Sequence, residues 1–214
     1  HLGERQLPLC ARCSGTYLGV VAAVGGLLVL GRGKSGAFPA WPYLSLFGLF
    51  GLLWAVDGLN SYLHLFPGAP GLYEPSNVLR LITGSLMGLS LGVLVYTGFN
   101  QAVWRDWRQE ASIRRPLDML WLLTAAGLMV ILVLWENVVV LYPLAVISAA
   151  SVVGLLTAVY SVIAVMVLRR ENQASGWRDV RVPLLIGLTT AVLQIALIDA
   201  ARLAVTNTWG GFPL

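Results

Sequence analysis

Apolar residues run through this chain in long blocks, separated by short polar connections. Six blocks, 14–30, 41–60, 78–99, 117–135, 140–168 and 183–205, come close to or exceed the roughly 20 residues an α-helix needs to cross a hydrocarbon layer. Within each block the apolar positions are continuous and do not alternate, so they predict helices and not the strands of a barrel. The clean apolar part of the second block stops at Asp57, and the fifth is long enough to tilt or to begin outside the hydrocarbon. The pattern predicts an all-α, polytopic helical bundle forming a single integral membrane domain over 1–214.

Composition sharpens this. The chain is 57% hydrophobic and only 11% charged, with a mean hydropathy of +0.78. Soluble domains carry about 25% charged residues, so water cannot be the solvent here and a lipid bilayer is the expected surrounding. The net charge of +4 does not read as a nucleic-acid face, because the basic residues sit in short connections between apolar blocks. Most of the eight tryptophans and seven tyrosines lie near block ends, where interfacial aromatics belong. The first residue is His1 and not methionine, which reads as a processed or partial chain.

The basic residues also orient the bundle. Arg32 and Lys34 follow the first block, Arg105, Arg108, Arg114 and Arg115 the third, and Arg169, Arg170, Arg178 and Arg181 the fifth. The other two connections and the tail after Val205 carry no lysine or arginine. The positive-inside rule then expects a multi-pass protein of the cytoplasmic membrane with these three connections inside, and with Cys10, Cys13 and the carboxyl terminus outside.

That orientation gathers the isolated polar residues at the outer end. The only two cysteines stand in Leu9-Cys10-Ala11-Arg12-Cys13-Ser14-Gly15, at the mouth of the first block. Their spacing suits a thioredoxin-like redox pair, half of a zinc site, or a plain structural pair, and spacing alone leaves all three open. A c-type haem attachment is excluded, because Ser14 stands where a histidine is required. A helix start and Arg12 would both favour the thiolate of Cys13.

Asp57, Asn60, Ser61 and His64 recur at helical spacing and share one face, where a carboxylate, an amide and an imidazole can bind a metal or move protons. The loop signal Pro67-Gly68-Ala69-Pro70-Gly71 follows, and makes His64 equally readable as an ordinary interfacial residue. In Glu74-Pro75-Ser76-Asn77, Ser76 or Asn77 can cap a helix, and Arg80 then lies one turn inside. There it can grip an anion bidentately or simply snorkel to the interface. Its expected contact is Asp57 or Glu74, directly or through one water. Asp199 and Arg202 have the spacing of an intrahelical ion pair, and Gln194 needs a polar partner at depth. Gly84, Gly88 and Gly92, with Gly15, Gly19 and Ala23, form small-residue stripes that expect the first and third helices to pack closely. Trp104 and Trp107 with their arginines read as a short interfacial helix or loop.

Cys-Ala-Arg-Cys-Ser-Gly-Thr-Tyr-Leu-Gly at 10–19, Asp57, and Glu74-Pro75-Ser76-Asn77 with Arg80 and Thr83-Gly84 resemble the prokaryotic membrane-protein family known as domain of unknown function 2085. The specific likeness covers roughly the first 90 residues. In that family, the resemblance implies, a further helix and a Cys-His-Gln segment precede the cysteine pair, making seven helices in an intact chain. It supports these positions as one functional set and names no reaction.

Three functions remain in view. In the first, Cys10 and Cys13 bind a metal such as zinc, with His64 or residues before this chain completing the shell. Asp57, Glu74 and Arg80 then act on an amphiphilic substrate, supported by Arg12, Asn60, Ser76, Asn77, Asp199 and Arg202. The second is quinone-linked oxidation of the thiol pair. The third is a transporter or a structural subunit of a membrane complex. A transporter wants a polar path deeper than Gln194, and the fourth and fifth blocks offer little beyond hydroxyls such as Thr124, Ser148 and Thr157.

Overall fold

The computed structural model describes residues 9–64, 66 and 71–207. The loop signal at 67–70, the amino-terminal residues 1–8 and the carboxyl-terminal residues 208–214 lie outside the described residues. Six helices carry the fold: α1 (Ala11–Val29), α2 (Trp41–Leu63), α3 (Asn77–Val103), α4 (Pro116–Leu134), α5 (Val138–Val167) and α6 (Trp177–Thr206). All six are long and apolar enough to span a membrane. Their 19 to 30 residues reach about 28 to 45 Å at about 1.5 Å per residue.

The expected segments and the observed helices agree, with differences only at their ends. Helix α2 continues past Asp57 to Leu63, so Asp57 is a helix-interior residue and not a terminal one. Helix α6 starts before Pro183, at Trp177. The polar turn ahead of the proline is held by Asp179 Oδ2, which accepts from Ser175 N and Oγ (both 2.9 Å) and Gly176 N (3.2 Å).

Helices α1 and α3 form the inner pair, each half-buried along its span, whereas only 11% of the α6 window is buried. The small residues explain this. A methyl group on Gly15 or Gly19 would overlap the carbonyls of Leu81 and Ser85, and one on Gly84 or Gly88 would overlap those of Arg12 and Thr16. The expected pairing of the first and third helices is therefore present, backbone against backbone. Without a hydrophobic drive between helices in lipid, such close approach supplies the packing that holds a bundle together. One apolar cluster joins Ala23 and Leu27 of α1, Phe47 and Phe50 of α2, Leu89 and Val93 of α3, and Leu122 of α4. Helix α6 leans on α5, where Gly187 meets Ser161 and Thr157, and Tyr160 Oη lies 2.5 Å from Gln194 Oε1, the deep polar partner expected for that glutamine.

The Trp104 and Trp107 segment departs from the sequence expectation. Trp104 caps the end of α3 and is buried, its indole N–H donating to Asn100 Oδ1 at 3.1 Å. The chain then forms a short strand, β2 (Arg108–Ala111), paired in parallel with β1 (Ser35–Ala37). The reason is geometric: α1 and α3 run side by side in the same direction, so the segments leaving them emerge parallel and close enough to share hydrogen bonds. Arg32 Nη2 also reaches Asp118 Oδ2 of α4 at 2.7 Å, and Arg105 N donates to Ala174 O at 2.9 Å. The three basic connections are thus tied into one end of the bundle.

Candidate functional site

At the other end, Cys10 is the amino-terminal cap of α1, and its sulfur accepts from Cys13 N at 3.3 Å. The two thiols are free and their Sγ atoms lie 3.0 Å apart, Cys10 exposed and Cys13 partly covered. The thiol of Cys13 can donate to a Cys10 thiolate across that distance. This hydrogen bond, helped by the backbone donors of the helix start and the Arg12 charge, holds the Cys10 thiol well below the ordinary thiol range, at about 5.

Arg12 stands between the cysteines but does not serve them first. Its Nη2 lies 2.6 Å and its Nε 3.1 Å from Asp57 Oδ2, and Nη2 also donates to Asp57 O (3.1 Å) and Ser61 Oγ (2.9 Å). Asp57 is 1% exposed. Its other oxygen accepts from Tyr73 Oη at 2.9 Å, and Thr83 Oγ1 approaches Oδ2 at 3.4 Å. One carboxylate thereby ties α1, α2, α3 and the connection between α2 and α3. Burial in this setting, with the carboxylate beside it, raises the Tyr73 pKa and keeps that hydroxyl a donor.

Asn60, equally buried, fastens the same connection: its amide donates to Tyr73 O at 2.9 Å and accepts from Leu72 N at 2.7 Å. Among the described residues no direct hydrogen bond or ion pair joins Arg80 to Asp57 or Glu74. Asp57 is taken by Arg12, and Arg80 donates instead to Ser61 Oγ (3.3 Å) and Asn77 Oδ1 (3.4 Å). Ser61 is therefore shared by the two guanidinium groups. Glu74 is exposed and takes part in none of the ion pairs among the described residues. His64 ends α2 with its Nδ1 3.0 Å from Asn60 O and its ring against Gly71, where a side chain at position 71 would collide with it.

Ser76 caps α3, accepting from Leu79 N at 3.2 Å, as the capping pattern expects. Asp199 and Arg202 make the expected intrahelical pair at 3.5 Å on α6. The structure thus gathers Arg12, Asp57, Asn60, Arg80 and Asn77 into one network beside the cysteines. Ser61, Tyr73 and Thr83 join it. Tyr73 and Thr83 carried one signal that could have found them: an aspartate in an apolar helix needs several donors, and these two are polar residues at the neighbouring helix start. Among the described residues no group of three His, Cys, Asp or Glu side chains converges on a point. Cys10 and Cys13 could supply two metal ligands, and others would have to come from outside the described residues.

This geometry, a helical bundle apolar enough to span a membrane and with a polar end, agrees with a family match. Residues 1–94 match a family described as Predicted membrane protein (DUF2085), which bears out the resemblance read from the motifs over that stretch. No curated protein and no solved structure matches the chain. The match covers the cysteines, the Asp57 network and the close α1–α3 crossing, and stops about two-thirds of the way along α3.

Proposed function

We propose that the end bearing Cys10 and Cys13 faces the extracytoplasmic side of the cytoplasmic membrane and works as a thiol–disulfide oxidoreductase that delivers electrons to a lipid quinone. The observation that carries this reading is the thiol pair itself: two sulfurs 3.0 Å apart, one of them acidic and exposed, at the mouth of a membrane helix. In the step, the Cys10 thiolate adds to a ring carbon of the quinone, forming a carbon–sulfur bond. Cys13 sulfur then attacks Cys10 sulfur and the carbon–sulfur bond breaks, its electron pair passing to the ring. Two thiols lose two electrons and two protons, and the quinone gains both as quinol. Arg80, whose guanidinium donates to the neutral partners Ser61 Oγ and Asn77 Oδ1, meets the ring oxygens. Asp57 holds Arg12, and through it the start of α1, in place.

A second reading has its own support. A thiolate at neutral pH is the ligand form of cysteine, and the Cys-x-x-Cys spacing is that of a zinc half-site. One experiment separates the two. The full-length protein is purified with and without reductant, metal is measured per chain, and free thiols are counted by alkylation and mass spectrometry before and after adding a soluble quinone. Quinone-dependent loss of two alkylatable thiols, restored by reductant and with no stoichiometric metal, is the expected result. One zinc per chain, with thiols shielded until a chelator is added, overturns the redox reading in favour of the metal. Thiols that stay free and unchanged by quinone overturn it outright.

A further inference from the structure

The end of the bundle opposite the cysteines holds a cleft that the proposed chemistry does not use. It lies where the end of α3 (Val103), the end of α5 (Val165, Leu168), the turn between α5 and α6 (Arg170, Gln173, Ala174) and the first turns of α6 (Asp179, Val180, Val182, Pro183) meet. Counting its open mouth, it encloses about 710 Å³. Seven of its ten lining residues are apolar, but its exposed surface is almost evenly divided between apolar and polar, with Arg170, Gln173 and Asp179 the polar side chains.

Three features say what such a cleft would take. First, the apolar part of its wall is aliphatic (Val103, Val165, Leu168, Val182) and it opens at the ends of apolar helices, where an acyl chain is the available apolar guest. Second, the surrounding charge is positive. Between 169 and 181 stand Arg169, Arg170, Arg178 and Arg181 against Glu171 and Asp179. The Asp179 carboxylate is already engaged by Ser175 and Gly176, so the free cation in the lining is Arg170. Third, Pro183 has no N–H, which leaves the carbonyl of Asp179, four residues before it, without its helical donor. An anionic group beside Arg170 and a hydroxyl that can donate to a carbonyl are what this lining lacks.

We propose that this cleft is a binding site for an anionic phospholipid, with one acyl chain against Val103, Val165, Leu168 and Val182, the phosphate on Arg170, and a headgroup hydroxyl at the Asp179 carbonyl. Basic pockets between helix ends are where such headgroups are held. Phosphatidylglycerol combines all three groups.

The test uses the full chain in detergent, with mixed micelles of phosphatidylglycerol and phosphatidylcholine of equal chain length, and reads retained lipid by native mass spectrometry. The wild type is expected to retain phosphatidylglycerol preferentially. Arg170→Gln is expected to cut that preference about fivefold, the worth of one basic residue at a charged membrane surface. Arg105→Gln, at the same end but outside the cleft lining, should leave it unchanged. Val182→Trp, which fills the cleft and keeps every charge, should lower retention of both lipids at that site. An equal loss in Arg105→Gln and Arg170→Gln would show a diffuse basic surface and overturn the proposal. So would equal retention of the two lipids by the wild type, or competition by inorganic phosphate alone at millimolar concentration. If Arg170→Gln unfolds, Val182→Trp with intact thermal stability still decides the matter by its lipid retention.

Discussion

At the scale of single residues, the site rests on two electrostatic arrangements of opposite accessibility. The Arg12–Asp57 pair is nearly out of solvent, its side chains 20% and 1% exposed. Removing one member of such a pair leaves a buried charge without compensation and costs about 3–5 kcal/mol, even where the intact pair adds little net stability. Arg12→Ala and Asp57→Asn should therefore each lower the thermal midpoint in detergent sharply, while the double variant loses clearly less than the sum. Additive losses would mean the two act separately. The thiols, by contrast, face solvent. Because the folded pKa of Cys10 is lowered to about 5 by its bond with Cys13, Cys10 is a thiolate at neutral pH and becomes protonated only as pH falls through about 5. Its alkylation by iodoacetamide should be nearly flat above pH ~6.5. In Cys13→Ala the main cause of acidity is gone, and the rate should climb with pH toward the ordinary thiol value of about 8.5. An unchanged pH profile would remove Cys13 from the account. Only part of this was legible in the chain: a helix start with a cation nearby favours a thiolate, but points to Cys13, whereas the acidic thiol is Cys10, because it caps the helix and accepts from Cys13. The partner of Asp57 was not, because Arg12 and Arg80 are equally plausible cations by sequence, and only the α1–α3 crossing decides which guanidinium reaches the carboxylate.

At the scale of helices, hydrophobic blocks located all six, since in lipid length and apolarity are themselves the constraint. Their ends were less legible. Polar turns such as 177–182 and 61–63 are outside any hydropathy block yet inside a helix, because capping and a polar network stabilise them there. The parallel β1–β2 pair had no signal of its own: three and four residues long, it exists because α1 and α3 are parallel neighbours. The glycine stripes were legible because they are periodic. Gly88→Ala should push a methyl group into the Thr16 backbone of α1, whereas Gly154→Ala meets nothing within 4 Å. Overpacking of a tight contact costs about 1–3 kcal/mol. Gly88→Ala should therefore melt well below the wild type and Gly154→Ala at or near it. Equal midpoints for the two would show that the crossing contributes nothing special.

At the scale of the molecule, one property decides whether the thiol chemistry is available at all, and that is which end faces which side. The three basic connections act as one end: Lys34 lies over the Trp104 ring at 4.9 Å, Arg32 reaches Asp118, and Arg105 N bonds to Ala174 O. Ten basic residues therefore share one interface, and the cysteine end contributes to the bundle only isolated arginines, two of them within the Asp57 network. Because Lys and Arg in short connections tend to stay in the cytoplasm, the proposed orientation has Cys10 outside. Disulfides form and persist on that side and are reduced on the other, so orientation and function stand or fall together. In a background with Cys10 and Cys13 replaced by serine, single cysteines at Gly33, Arg178 and Glu74 test it. Gly33 has open space around it, and Arg178 and Glu74 are exposed, so none of the three should disturb packing. An impermeant maleimide applied to intact cells should label position 74 and reach 33 and 178 only after permeabilisation. The reverse pattern would place the thiol pair in a reducing compartment, where an acidic Cys10 would be kept as a thiolate and a metal half-site would become the better account of the same two sulfurs.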